Sequence, residues 1–222
     1  MYCAAIFLAL AQTAVAGAGS PAPAGQAHPW VALDTTMGRI VVELRPDKAP
    51  RTVDNFIKYV RAGHYDHTIF HRVVRGFVIQ GGGYEEDLSE HPTRSAIRNE
   101  SVGGLSNVRG TVAMARSGAP DSARAQFFIN LQDNSRLDGR PGRPGYTVFG
   151  EVVEGMEIVD RIAALPSQAR GRFSKLTTPI VTIRRVREIE PKRPQPTPTP
   201  DATPAALLSA PKPGATPASP VP

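Results

Sequence analysis

The chain has 222 residues, a net charge of +6 and 41% hydrophobic side chains, enough for one packed body of ordinary composition. Its single cysteine excludes a disulfide scaffold and a Cys-based zinc site. Past the N-terminus no apolar run reaches the ~18 residues of a membrane span, and the basic residues are dispersed rather than gathered into an aromatic-interleaved stripe, so neither a membrane span nor a nucleic-acid partner is expected.

The N-terminus reads as a targeting segment. Ala4 to Ala16 is a predominantly apolar run, and Ala14-Val15-Ala16 and Ala16-Gly17-Ala18 are small-x-small cleavage sites. Residues 1–18 are therefore expected to be a cleaved signal peptide, although Met1-Tyr2-Cys3 supplies no positive start. Cleavage removes Cys3 and delivers a thiol-free protein to an oxidising compartment such as a periplasm. Residues 19–28 are a Gly/Ala/Pro-rich linker, and the body spans 29–190. Half of the 22 prolines fall in residues 191–222, an unpacked Pro-rich tail.

In the body, Trp30–Thr35 and Arg39–Leu44 read as strands of a hairpin turned at Thr36-Met37-Gly38. A helix follows from Pro50, with Val53, Phe56, Ile57 and Val60 spaced on one face and Gly63 as its stop. Short β-prone runs then come at 68–74, 77–80, 97–100, 111–115 and 127–131. Strands at 146–153 and 180–189 flank a second helix at 155–164, with Met156, Val159 and Ile162 on one side. Many short strands with two helices predict a mostly antiparallel barrel or sandwich rather than a βαβ array.

Several motifs do not carry chemistry. His64, His67 and His71 resemble a metal set, but they straddle a turn and a strand and share no face. Gly81-Gly82-Gly83 lacks the Lys-Ser/Thr and helix of a phosphate loop, and no G-x-S-x-G elbow supports a serine hydrolase. The informative blocks are Phe70-His-Arg-Val73 with Gly76-Phe-Val-Ile-Gln-Gly-Gly82, then Gly110-Thr-Val-Ala-Met-Ala-Arg116 with Gln126-Phe-Phe-Ile-Asn130, and Gly145-Tyr-Thr-Val-Phe-Gly150.

From about Trp30 to Glu190 these blocks resemble the cyclophilin family of peptidyl-prolyl cis-trans isomerases, most nearly its exported bacterial subgroup. The resemblance implies a closed eight-stranded antiparallel barrel capped by two α-helices. It implies isomerisation of X-Pro bonds in unfolded or folding polypeptides by a monomer that uses no cofactor and no metal. It places the catalytic arginine at Arg72, a pocket aromatic at Phe77, and at Gln80 the glutamine that orients the arginine. Substrate contacts fall on Val78, Ala115, Arg116, Gln126, Phe128, Arg136, Leu137 and Tyr146. Val78 stands where many members carry methionine. Arg136 stands where they carry tryptophan or phenylalanine, which implies weaker cyclosporin binding. The reading from another class is a proline-peptide binding module or chaperone without turnover.

Overall fold

The computed structural model describes residues 28–191; the expected signal peptide, nearly all of the linker and the Pro-rich tail lie outside the described residues. His28, at the end of the expected linker, is placed against the body, with its Nδ1 2.7 Å from Glu43 Oε1.

The hairpin expected at the start is β1 (Trp30–Thr35) and β2 (Gly38–Leu44), paired residue for residue from Trp30–Glu43 to Thr35–Gly38. Helix α1 (Pro50–Arg61) follows. Pro50 occupies its first turn, where a missing N–H costs nothing. No local side chain caps it; instead Glu100, almost fifty residues on, accepts the N–H groups of Arg51 and Thr52 at 3.1 and 2.9 Å. The carboxylate thus sits at the positive end of the helix dipole. Val53, Phe56, Ile57 and Val60 are buried, as their spacing predicts, and α1 closes on Ala62 with Gly63 at φ 67°.

The central run departs from expectation. Residues 68–74 form not one strand but two, β3 (Thr68–Ile69) and β4 (Arg72–Val74). At Phe70 the backbone turns away to donate to Val181. Next come β5 (Val78–Gly81), β6 (Thr111–Met114), β7 (Phe127–Asn130), a 3-10 turn at Ser135–Leu137, β8 (Val148–Glu154) and α2 (Met156–Ala164). The chain ends in β9 (Ser167–Arg170), β10 (Phe173–Thr177) and β11 (Thr182–Ile189). The β9–β10 hairpin was not expected, since Ser167–Arg170 is exposed throughout and shows no alternation. The expected run 97–100 is no strand: Ile97 makes one isolated bridge to Ala123, and Glu100 serves α1.

Nine strands form one antiparallel, strongly curled sheet in the order β3-β11-β1-β2-β8-β6-β7-β5-β4. The expected closed eight-stranded barrel is therefore corrected to an open half-barrel. Its end strands, β3 and β4, are joined through Phe70–His71, and no hydrogen-bonded ladder links them. β3 forms a ladder only with β11, beside one isolated bridge from Thr68 to Glu85, and β4 only with β5, so splitting that one run leaves the sheet open.

Alternation along the strands sorts side chains by face. Ile79, Val112, Met114, Phe127, Ile129 and Phe149 point inward, where they meet Phe56 of α1 and Val159 and Ile162 of α2. Phe127 meets Phe56 edge-on at 5.8 Å and Tyr65 at 5.6 Å. The residues between them, Val78, Ala113, Phe128 and Val148, form a separate apolar cluster on the outer face. Among the described residues no helix is long and apolar enough to cross a membrane.

Candidate functional site

The site grows from register. Arg72 lies opposite Gln80, Gln80 opposite Phe128, Phe128 opposite Ala113, and Ala113 opposite Val148. One row across five strands therefore carries a guanidinium at one end and an apolar floor at the other, on the face away from the core. Val78, one pleat from Gln80 on the same strand, extends that floor and is 2% exposed.

Three irregular segments raise walls around the row. The β4–β5 turn presents Phe77, held by Phe77 N–H donating to Val74 and its carbonyl accepting from Leu131 at 2.9 Å. The 3-10 turn presents Leu137, whose carbonyl accepts the Tyr146 N–H at 2.9 Å. Tyr146 meets the Phe128 ring edge-on at 5.6 Å. The result is a pocket of about 200 Å³ lined by Arg72, Phe77, Val78, Phe128, Leu137 and Tyr146, with Gln80, Ala115 and Arg116 at its edge. That volume suits a five-membered ring with its adjoining peptide groups. A larger depression of about 430 Å³ adjoins it through Gln80, Ala115 and Arg116 and is also lined by Gln126.

Ten of the eleven residues expected at the site meet in these two depressions. Arg136 stands at the rim, its guanidinium 5.6 Å from the Phe77 ring centroid. Arg72 lies 5.8 Å from the same ring, so one aromatic serves two cations. Gln80 is opposite Arg72 in register, but its amide donates to Gln126 Oε1 at 3.0 Å. Arg116 is a clamp: Nε donates to Gly145 O at 2.9 Å, Nη2 to Pro144 O at 3.0 Å and Nη1 to Ser117 O at 2.9 Å, with the Tyr146 ring 4.7 Å beneath. Past Met114 the β6 ladders end, and one further bond, from the Ala115 N–H to Gln126 O at 2.9 Å, holds the backbone that leads into Arg116.

Two of the glycines singled out in the sequence serve packing here. A Cβ on Gly83 would lie 2.5 Å from Gln126, and Gly82 adopts φ +79° with Tyr65 2.9 Å from its missing Cβ. The histidines part company. His64 stacks on Tyr59 and His91 at 4.5 and 4.4 Å, whereas His71 packs against Tyr84 and Phe173 at 4.7 and 5.8 Å. Burial, with the neighbouring His91 and Arg94 charges, pushes His64 down from 6.5 to about 4. Burial and Arg72 do the same to His71.

A supporting network escaped the sequence reading. Asn134 donates to Phe77 O at 3.1 Å and to Asn130 Oδ1 at 2.8 Å; Asn130 donates to Asn107 Oδ1 at 3.3 Å and Thr111 Oγ1 at 3.0 Å; Asn107 donates to Asp138 Oδ1 at 3.1 Å and Tyr146 O at 3.2 Å. Asn107, Asn130 and Asn134 are all buried. This chain of amides ties the Phe77, Leu137 and Tyr146 walls to one another. Its members are scattered over thirty residues of sequence, with no periodicity to reveal them.

The model for the cyclophilin type peptidyl-prolyl cis-trans isomerase family matches residues 30–188, and the chain belongs to that family of enzymes. It is similar to a peptidyl-prolyl cis-trans isomerase of Streptomyces antibioticus, 49% identical over 155 residues that cover 68% of this chain and 93% of the relative. It is also similar to peptidyl-prolyl cis-trans isomerase B of Escherichia coli, 50% identical over 144 residues, 64% of this chain and 88% of the relative. Among solved structures, a cyclophilin type isomerase of Cryptosporidium parvum crystallised in the presence of the dipeptide Ala-Pro matches with a TM-score of 0.59 and 26% identity, covering 71% of this chain and 96% of that one.

Proposed function

We propose that this protein accelerates cis-trans rotation about X-Pro bonds in unfolded or folding polypeptides, with Arg72 stabilising the twisted amide in the apolar pocket. The single observation that carries the reading is the transverse row, which sets the Arg72 guanidinium beside the Phe128–Val78 floor.

The reaction defines what the site must supply. Planar amide resonance sets a barrier of about 18–20 kcal/mol, and uncatalysed rotation takes tens to hundreds of seconds. A ~10⁵-fold acceleration requires about 7 kcal/mol more stabilisation of the twisted state than of either planar one. No bond breaks, so neither nucleophile nor acid–base pair is needed. On twisting, the nitrogen lone pair leaves conjugation and the prolyl nitrogen becomes a better acceptor. A preorganised cation favours that state alone. Arginine keeps its charge at every working pH and offers a rigid fork of donors. Among the described residues Arg72 has no carboxylate oxygen within 4.0 Å, so its charge remains available to substrate.

The remaining residues hold the substrate. Phe77, Phe128 and Leu137 enclose the proline ring and exclude water, which strengthens the cation's effect. The backbone at Ala115–Arg116, which lines both depressions beyond the last β6 bond, accepts an extended peptide as an added strand. Gln126 takes the Gln80 amide protons and leaves the Gln80 oxygen as the acceptor that orients Arg72. The isomerase acts in a periplasm after loss of the signal peptide; this rests on the Ala4–Ala16 run and its small-residue cleavage sites. N-terminal sequencing of protein from its native host should then begin near Gly17 or Gly19.

The test of the main reading is an NMR exchange assay on a short Ala-Pro peptide. Expected is catalysed cis-trans exchange that saturates with peptide. Binding without line broadening from exchange would favour the binding module instead.

A further inference from the structure

On the far side of the proline pocket lies a third depression, of about 340 Å³. It shares Arg116, Leu137 and Tyr146 with that pocket and is otherwise walled mainly by Arg136, Arg143 and Asp138. Its charge is one-sided. Asp138 is the carboxylate in that wall, and its oxygens are already engaged. Oδ2 accepts from Ser106 Oγ, and Oδ1 accepts the Asn107 N–H at 2.7 Å and the Asn107 amide at 3.1 Å. Arg116 is likewise spent on backbone carbonyls. Arg136, Arg143 and the neighbouring Arg140 are exposed, and among the described residues none has a carboxylate oxygen within 4.0 Å.

The placement of two of these cations breaks a local rule. Arg140 and Arg143 face each other across a tight antiparallel bridge, joined by Arg140 N–H to Arg143 O at 2.9 Å and Arg143 N–H to Arg140 O at 2.8 Å. Like charges directly opposite on paired strands are destabilising. Among the described residues the Asp138 charge acts on Arg140 without an ion pair to it, and a rule broken with so little compensation marks a place shaped for something other than stability. The opposite flank is different. There Glu90 and Arg124 both line the 430 Å³ depression, so the two signs are mixed.

We infer that the protein acts preferentially on polypeptides carrying Asp or Glu close to the proline, on the single flank that crosses Arg136, Arg140 and Arg143. This rests on the isomerase reading above and specifies its substrate class. The acidic side chain meets exposed guanidiniums at the rim, so attraction is modest and salt-sensitive. The flank over Glu90 and Arg124 carries no preference.

The test uses short peptides with one X-Pro bond, bearing Glu or Lys either before or after the proline, and a neutral reference. Their kcat/KM values are read by NMR exchange at low and at high salt. Expected is a Glu-over-Lys ratio of about 3–10-fold on one flank, the size of one or two rim charge pairs, and a ratio near one on the other. The ratio should shrink at high salt, fall in the double variant R140A/R143A and invert in R140E/R143E. Equal kcat/KM for Glu and Lys peptides on both flanks, or a ratio unmoved by R140A/R143A, would overturn the inference. Should the neutral peptide show no turnover, the isomerase reading fails, and titration of the amide signals of residues 136–146 with the Glu and Lys peptides still decides this one: tighter Glu binding upholds it, and equal affinities overturn it. Inhibition by a single-stranded oligonucleotide at lower concentration than by a poly-Glu peptide would assign the cations to nucleic acid and also overturn it.

Discussion

Lowering the pH from about 7.5 to 4.5 should remove roughly 5 kcal/mol of folding stability through two buried histidines. His64 and His71 are 7% and 5% exposed, and each is held near 4 rather than at the ordinary 6.5, chiefly by burial. One ring nitrogen of each, His64 Nε2 and His71 Nδ1, is buried without a hydrogen-bond partner among the described residues. The unfolded chain takes up these protons near pH 6.5, whereas the folded chain resists them until near pH 4. Their contribution is therefore complete above about pH 6.5 and lost progressively as the pH falls toward 4. At pH 4.5 each histidine accounts for about 2.5 kcal/mol, and the pair for a large part of an ordinary 5–15 kcal/mol total. The carboxyls of Asp34, Asp47, Asp87 and Asp138 are held below the usual range and titrate beneath this window. Urea midpoints at half-unit pH steps measure the effect, with H64Q and H71Q each expected to remove about half of the fall. A flat profile between pH 6.5 and 4.5, or an undiminished fall in the double variant, would refute the reasoning.

Three substitutions probe the machinery that holds the site. N134A leaves the Phe77 carbonyl with its Leu131 bond alone and takes from Asn130 Oδ1 its donor among the described residues; it should cost about 2–3 kcal/mol in a urea melt and lower kcat/KM as the Phe77 wall loosens. G83A puts a methyl group 2.5 Å from Gln126. That side chain must swing away from Gln80, so KM should rise about fivefold with the melting temperature nearly unchanged, the worth of about one hydrogen bond. E100A uncaps α1 and should lower stability by about 1–2 kcal/mol, read as a Tm lower by several degrees, with kcat/KM retained.

What the sequence discloses depends on range. The helix at Pro50 and the Trp30–Leu44 hairpin follow local periodicity, and the structure keeps both. Period-two alternation also puts Gln80 and Phe128 on the opposite face from Ile79 and Phe127, so the side of the sheet that carries the site is readable. The break at Phe70–His71 is not, because β-prone residues continue through it and the turn is set by a distant bond to Val181. Glu100 sits in a strand-like run yet caps a helix far away in sequence, and Ser167–Arg170 pairs without burying anything. At the site, the resemblance names Arg72, Phe77 and Phe128, but their supports are long-range. The Asn107–Asn130–Asn134 chain and the Arg116 clamp become visible only once three loops are brought together. Arg72 and Gln80 lie opposite each other in register, while the Gln80 amide turns to Gln126, a pairing that the sequence does not announce.

The most direct measurement compares kcat/KM on an Ala-Pro peptide for the wild-type chain, R72A and R72K, alongside their melting temperatures. R72A should fall by ~10²-fold or more, the loss of about 2.7 kcal/mol of transition-state stabilisation. R72K should lie between, since lysine keeps the charge but not the planar fork. All three should melt within a few degrees of one another, because Arg72 forms no ion pair among the described residues. Wild-type turnover in a folded R72A protein would contradict the assignment of catalysis to that guanidinium.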